Sequence, residues 1–190
     1  MSERIVNVHE QDYNGKHFRS TLEAETAKVL DALDIPYRYE ERKIELLPGF
    51  RSPHQQDKVR SITYTPDFTI DNIILECKGF ETPEWKLKKK LLFRWLLDNE
   101  PNAVFYQIHD ARKSLLAVLD NHWEQLGYRI EVTGRTAKTG TIFTQEYQSV
   151  KEAMEDLGLL GKPLGSILGG FLGTKEFVFN YKWKLKKITE

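Results

Sequence analysis

Apolar positions recur with two periods along the chain, and the switches between them mark its elements. Leu22, Ala27, Val29, Leu30 and Leu33 follow helical spacing behind Ser20-Thr21-Leu22-Glu23, a capping-box signature, and the pattern stops at Pro36. Tyr37 to Leu46 then alternates imperfectly with charges, as a strand with one exposed face does. Pro48 to Arg60 is polar and reads as a loop. Ile62–Ile70 and Ile73–Lys78 read as two strands joined at Asp71-Asn72, a two-residue hairpin turn. A helix follows from Pro83 through Trp85, Leu87, Leu91, Leu92, Trp95 and Leu96 to Asn99-Glu-Pro101. Ala103–Ile108 predicts a buried strand, Ala111–Gly127 a helix and Tyr128–Val132 a short strand.

This order predicts an α/β domain over residues 19–132, preceded by an arm or extension at 1–18. Residues 133–140, rich in Gly, Thr and charge, read as a linker. Beyond them, Ser149-Val150-Lys151-Glu152 is a second capping box opening a helix that Gly158 can end. Lys162-Pro163 opens a shorter helix to about Leu168, with proline at a permitted first-turn position. A second, small unit over 141–190 is the expectation.

Composition fits a folded protein: of 190 residues 40% are hydrophobic and 29% charged, with no net charge. The charge is uneven, with 9 Lys+Arg against 6 Asp+Glu from Gly134 onward and 19 against 22 before it. A neutral total leaves room for a local basic surface. Cys77 is the only cysteine, which excludes an internal disulfide and a cysteine-rich zinc site, and it falls on the apolar face of its strand. The histidines show no metal-ligand spacing. With no secretory-type N-terminus and no long apolar run, a cytoplasmic protein with no membrane partner is expected.

The chemistry concentrates where the hairpin ends. Glu76 and Lys78 point to one side of their strand because side chains alternate, and Asp67 lies on the partner strand. Neighbouring carboxylates repel unless a proton or cation lies between them. Mg²⁺ suits such a pair, since it takes oxygen ligands, keeps several waters and adds substrate phosphates. The main-chain carbonyl of Cys77 is a natural further ligand, and Lys78 could orient or deprotonate a water or offset charge on a phosphate. A solvated hairpin edge with mutually paired charges is the alternative reading. On the next helix Lys86, Lys90 and Arg94 recur every fourth residue, with Lys88 and Lys89 alongside, either as phosphate contacts or as a solvated face.

Pro66-Asp67 followed by Glu76-Cys77-Lys78 after a hairpin resembles the signature of the PD-(D/E)XK nuclease superfamily. The likeness runs from about residue 18 to 132 and includes LEAETAKVLDALDIPYRYEERKIEL, YTPDF and LECKGF. It implies a restriction-endonuclease-like α/β core, a mixed central sheet flanked by helices, and Mg²⁺-dependent hydrolysis of DNA, with Mn²⁺ as a substitute. It implies Asp67 and Glu76 as ligands, Lys78 on the nucleophilic water, Glu23 completing the site, and a polar residue at Gln107 facing it. Glu23 also lies three residues after Ser20, so capping alone accounts for it.

The stretch from Phe143 to Lys184 resembles a nuclease-associated modular domain, a small helix-turn-helix-like unit found on homing endonucleases. It shares the Ser-Val-x-Glu-Ala entry, the Leu-Gly helix end and a closing aromatic-x-Trp-Lys. The resemblance implies a small helical DNA-binding domain with Lys162, Ser166, Lys175, Lys182 and Lys184 as phosphate contacts. The Gly-rich stretch departs from the polar residues usual there, and a structural cap is the alternative. The expectation is an endonuclease of a phage or mobile element, cytoplasmic in a host cell, with DNA as partner and a homodimer for double-strand cleavage. A structure-selective nuclease, such as a junction resolvase or a transposase-type cutting subunit, and a non-catalytic DNA-binding protein on the same fold are the alternatives.

Overall fold

The computed structural model describes residues 9–54 and 58–188. The expected arm at 1–18 therefore lies partly outside the described residues. Along the chain come β1 (Gln11–Tyr13), β2 (Lys16–Phe18), α1 (Thr21–Ala32), β3 (Arg38–Tyr39), β4 (Ile44–Leu47), β5 (Phe50–Arg51), β6 (Lys58–Val59), β7 (Ile62–Tyr64), β8 (Phe68–Ile70) and β9 (Ile73–Cys77). Then follow α2 (Pro83–Asn99), β10 (Val104–Ile108), α3 (Lys113–Leu119), β11 (Tyr128–Arg135), β12 (Ile142–Tyr147), α4 (Val150–Asp156), a 3₁₀ turn at Leu164–Ser166, α5 (Leu168–Phe171) and β13 (Lys182–Lys187). The class is mixed α/β. Two compact units divide the chain: one takes residues 36–109, the other 1–35 together with 110–190.

The continuous unit is built on a sheet of order β10-β9-β8-β3, with β10 parallel to β9 and the other pairs antiparallel. The expected Asp71-Asn72 turn is present: Ile70 pairs with Ile73, and Asp71 takes φ 49°, a left-handed conformation that Asp tolerates. The first strand of this hairpin is broken, because Thr65-Pro66-Asp67 lacks ladder pairing between β7 and β8. Helix α2 starts as the sequence predicts, with Thr82 Oγ1 accepting from Trp85 N–H at 3.1 Å and Pro83 in the first turn. Its buried Trp85, Leu92 and Leu96 pack on Ile44, Leu46, Tyr64 and Ile74. The polar segment expected to be a loop holds the short antiparallel pair β5–β6.

The discontinuous unit differs from expectation. Residues 133–140, expected as a linker, supply the end of β11 and the turn into β12, where Thr136 N–H donates to Thr141 O at 2.9 Å. Residues 141–190 form no helical domain: β12 and β13 both flank β11, and the described chain ends just after a strand. The reason is β11 itself, whose Tyr128, Ile130, Val132 and Gly134 alternate as a buried face, an eight-residue pattern that needs a partner on each edge. The helix expected to reach Gly127 ends at Leu119, where Asp120 turns its carboxylate to other work. Its Oδ1 accepts from Trp123 Nε1–H at 3.0 Å and Val150 N–H, and its Oδ2 from Lys151 N–H at 3.1 Å. A buried anion thus satisfies the open N–H groups at the start of α4. Burial pushes the Asp120 carboxyl up while these donors pull it down. The second capping box forms as expected, with Ser149 Oγ accepting from Glu152 N–H at 3.0 Å and Glu152 Oε2 from Gln148 N–H at 2.7 Å.

Candidate active site

Register brings the chemistry together. Phe68 pairs with Leu75, so one step beyond the ladder Asp67 falls across from Glu76. There Asp67 Oδ2 accepts from Cys77 N–H at 2.7 Å, so a carboxylate rather than a strand carbonyl satisfies that donor. The bond fixes the aspartate beside the glutamate strand. Cys77 itself is buried, as its pattern predicts.

Glu76 is 6% exposed, a costly place for a carboxylate unless it is hydrogen-bonded and paired. It has both kinds of support. Tyr64, at the end of β7, donates its hydroxyl to Glu76 Oε2 at 2.8 Å, and Lys78 Nζ lies 3.5 Å from Oε1. The Lys78 ammonium also sits 5.0 Å from the ring centre of Trp85, whose own ring is 5.8 Å from that of Tyr64. Burial first, and then the charges of Glu76 and Asp67, push the Tyr64 phenol far above its ordinary range, so it remains a donor throughout the working pH range. Tyr64 and Trp85 carry no signature in the spacing of the sequence. YTPDF puts a tyrosine three residues before the aspartate, but only the bend at Pro66 shows what the phenol reaches.

The neighbouring strand completes one wall. Gln107 lies in register with Glu76 on parallel β10. Its Oε1 accepts from Lys89 Nζ at 2.6 Å, and Lys89 also pairs with Glu81. The Lys89 ammonium, and then Gln107, hold the Glu81 carboxyl below its usual range. Lys89 is therefore engaged with this wall. Lys86 and Lys90 stay exposed on α2, and Arg94 pairs with Asp98 at 2.8 Å along the helix. His109, another residue the sequence did not flag, bonds the carbonyl of Lys78 through Nδ1.

Glu23 belongs to the discontinuous unit. Its Oε1 accepts from Ser20 Oγ at 2.7 Å and its Oε2 from Arg19 N–H at 3.1 Å, while its own N–H donates to Ser20 Oγ at 3.2 Å. Capping contacts at the start of α1 thus engage both of its carboxylate oxygens. Of the C-terminal candidates, Ser166 and Lys175 line a cavity of about 310 Å³ with Arg112 and Lys113, while Lys162 and Lys184 are exposed. Lys182 pairs with Glu176 at 2.7 Å. No groove-reading helix forms among them, because α5 is a single turn whose Gly170 lies against Trp183, where a Cβ would come within 3.0 Å.

Among the described residues no three His, Cys, Asp or Glu side chains gather in a metal-holding group. What converges is two carboxylates, which is the number Mg²⁺ uses when waters and substrate phosphates complete its shell; zinc would need more protein ligands. The donor set fits Mg²⁺. Replacing Tyr64 by phenylalanine removes the donor that orients Glu76 and leaves a buried carboxylate short of a partner. We expect Mg²⁺ binding, read by isothermal titration, to weaken about tenfold in Tyr64→Phe with little change in fold, the effect of one bond to a charged group; an unchanged affinity would mean the phenol is only structural.

No helix among the described residues is long and apolar enough to cross a membrane. No family model matches the chain, and no curated protein or solved structure is significantly similar to it.

Proposed function

We propose that the chain is a Mg²⁺-dependent endodeoxyribonuclease of the PD-(D/E)XK type, of phage or mobile-element origin, cutting DNA at the end of β9. The observation that carries this reading is the buried Glu76, held by Tyr64 and Lys78 and faced by an anchored Asp67. The order β10-β9-β8-β3, with α2 connecting the parallel pair, sets Asp67, Glu76, Lys78 and Gln107 at one end of a single sheet, as this reading requires. Asp67, Glu76 and the main-chain carbonyl of Cys77 would hold the ion, and the chemistry it supplies is Lewis-acid stabilisation of the phosphate and acidification of a water.

The protein's own groups do the rest. The Cys77 N–H orients Asp67, and the Tyr64 hydroxyl orients Glu76, so both carboxylates are preset. Lys78 brings its ammonium beside them, where it positions the attacking water and offsets negative charge developing on the phosphate. Gln107, held by Lys89, lines the neighbouring strand and bounds the space beside Glu76. Exposed Lys86 and Lys90 offer phosphate contacts along α2. One such centre cuts one strand, so a double-strand break requires a homodimer or successive nicks.

The test is cleavage of supercoiled plasmid with Mg²⁺, with EDTA, and by a Glu76→Ala, Lys78→Ala double variant. Metal-dependent nicking lost in EDTA and in the variant is the expected result. Equal nicking by the double variant would sink the assignment.

A further inference from the structure

The sheet β12-β11-β13 has two unlike faces. One buries Ile130, Val132, Tyr147 and Trp183. On the other, register sets Lys182 opposite Thr133, Lys184 opposite Glu131 and Lys186 opposite Arg129, with Arg135 opposite Ile142 at the end of the ladder. Five cations thus share that face with two acids, Glu131 and Glu146. Three of the cations form ion pairs, Arg129 with Glu124, Lys182 with Glu176 and Lys186 with Glu146. Such surface pairs are weak and exchange readily for phosphate.

At the Arg135 end the sheet opens on a cavity of about 600 Å³ lined by Arg135, Ile142, Phe177, Asn180, Tyr181 and Lys182, among others. Its volume lies within the ~300–1,000 Å³ usual for ligand sites. Phe177 is 55% exposed, and Lys182 lies 5.0 Å from its ring centre. Between Phe177 and Tyr181 the chain makes a two-residue turn at Phe179-Asn180, with φ of 55° and 70° and both Val178–Tyr181 main-chain bonds formed. A phenylalanine at positive φ is strained, and the turn that holds it sets the backbone on either side of it. The Tyr181 ring lies over Gly134 on the other side of the sheet, where a Cβ would come within 2.5 Å of it. Rigid aromatic surface beside a row of cations is the combination that binds unstacked bases along a phosphate chain. An acidic peptide would use the cations and leave the aromatic cavity without purpose.

We propose that this sheet face is a single-stranded nucleic-acid site, its cations following the phosphates and its cavity taking one base against Phe177. The choice of nucleic acid as occupant rests on the nuclease reading; the site itself lies wholly in the discontinuous unit. The test is anisotropy of a labelled oligo(dT) bound to the full chain in EDTA, at two salt concentrations. Phe177→Ala should weaken binding by about tenfold or more and Phe177→Tyr should restore it, since stacking survives that change. An Arg135→Ala, Lys182→Ala double variant should flatten the salt dependence by about 1.4 in log–log slope. Binding unaffected by Phe177→Ala, or oligo(dT) displaced by polyglutamate at equal charge, would overturn the proposal. If plasmid is not cut but these effects appear, the nuclease reading falls and this site stands; cutting with no Phe177 effect means the reverse.

Discussion

Lys78→Ala will lose Mg²⁺-dependent cleavage by about 10²–10³-fold, the range found when one group stabilising a transition-state charge is removed. Binding of duplex DNA in EDTA should stay within about twofold, because phosphate contacts elsewhere carry affinity. The prediction follows from the position of the side chain. Its ammonium lies 3.5 Å from Glu76 Oε1 and 5.0 Å from the Trp85 ring centre, so it is fixed beside the carboxylates, and its loss leaves Glu76 the Tyr64 hydroxyl as donor. Its strand stays in place without it, since Lys78 N–H donates to Ile108 O at 2.9 Å through the main chain. Single-turnover nicking of supercoiled plasmid at saturating Mg²⁺ is the measurement, with thermal melting to exclude unfolding. Turnover at the wild-type rate would remove Lys78 from the chemistry.

Asp120→Ala should cost about 3–4 kcal/mol of stability. It strips the acceptor from three N–H donors, those of Trp123, Val150 and Lys151, two of them on buried residues. Each stranded buried donor costs about 1–3 kcal/mol, and the exposed Lys151 end recovers part of its loss from water. Asp120→Asn keeps one carbonyl acceptor but turns an amide N–H toward donors, so about half the loss is expected. Urea unfolding followed by tryptophan fluorescence reads both. An alanine variant within about 0.5 kcal/mol of wild type would show that water replaces the carboxylate.

Elements with strong local signals were legible in the sequence. The Asp71-Asn72 turn, the Ser20 and Ser149 caps and the stripe of Trp85, Leu92 and Leu96 each declare themselves within a few residues. The convergence of Asp67 and Glu76 was legible because a hairpin fixes register from its turn. Less was legible where partners are far apart in sequence. Nothing local says that Tyr64 turns its hydroxyl onto Glu76, or that Lys89 bends to Gln107 and Glu81 instead of staying in the basic stripe. Thr133-Gly-Arg has the composition of a linker, yet pairing with β12 makes it strand, and β13 flanks Thr133 on the other edge. The Gly-rich stretch after Pro163 reads as a helix by its proline and leucines, but close packing on Lys113 and Trp183 breaks it into short turns.

The Tyr128 hydroxyl donates to Asp34 O at 2.9 Å, and Lys187 pairs with Asp34, so the end of α1 is held by residues far along the chain. During synthesis this ordering matters. Residues 36–109 can close as soon as they emerge, whereas α1 must wait for β11 and then β13 before its anchors exist. At ~5–20 residues per second that interval is on the order of ten seconds. Through it the Leu33-Asp34 end of α1 lacks the Tyr128 and Lys187 contacts that hold it, and chaperone dependence of the nascent chain should trace to this segment rather than to the unit that bears the carboxylates.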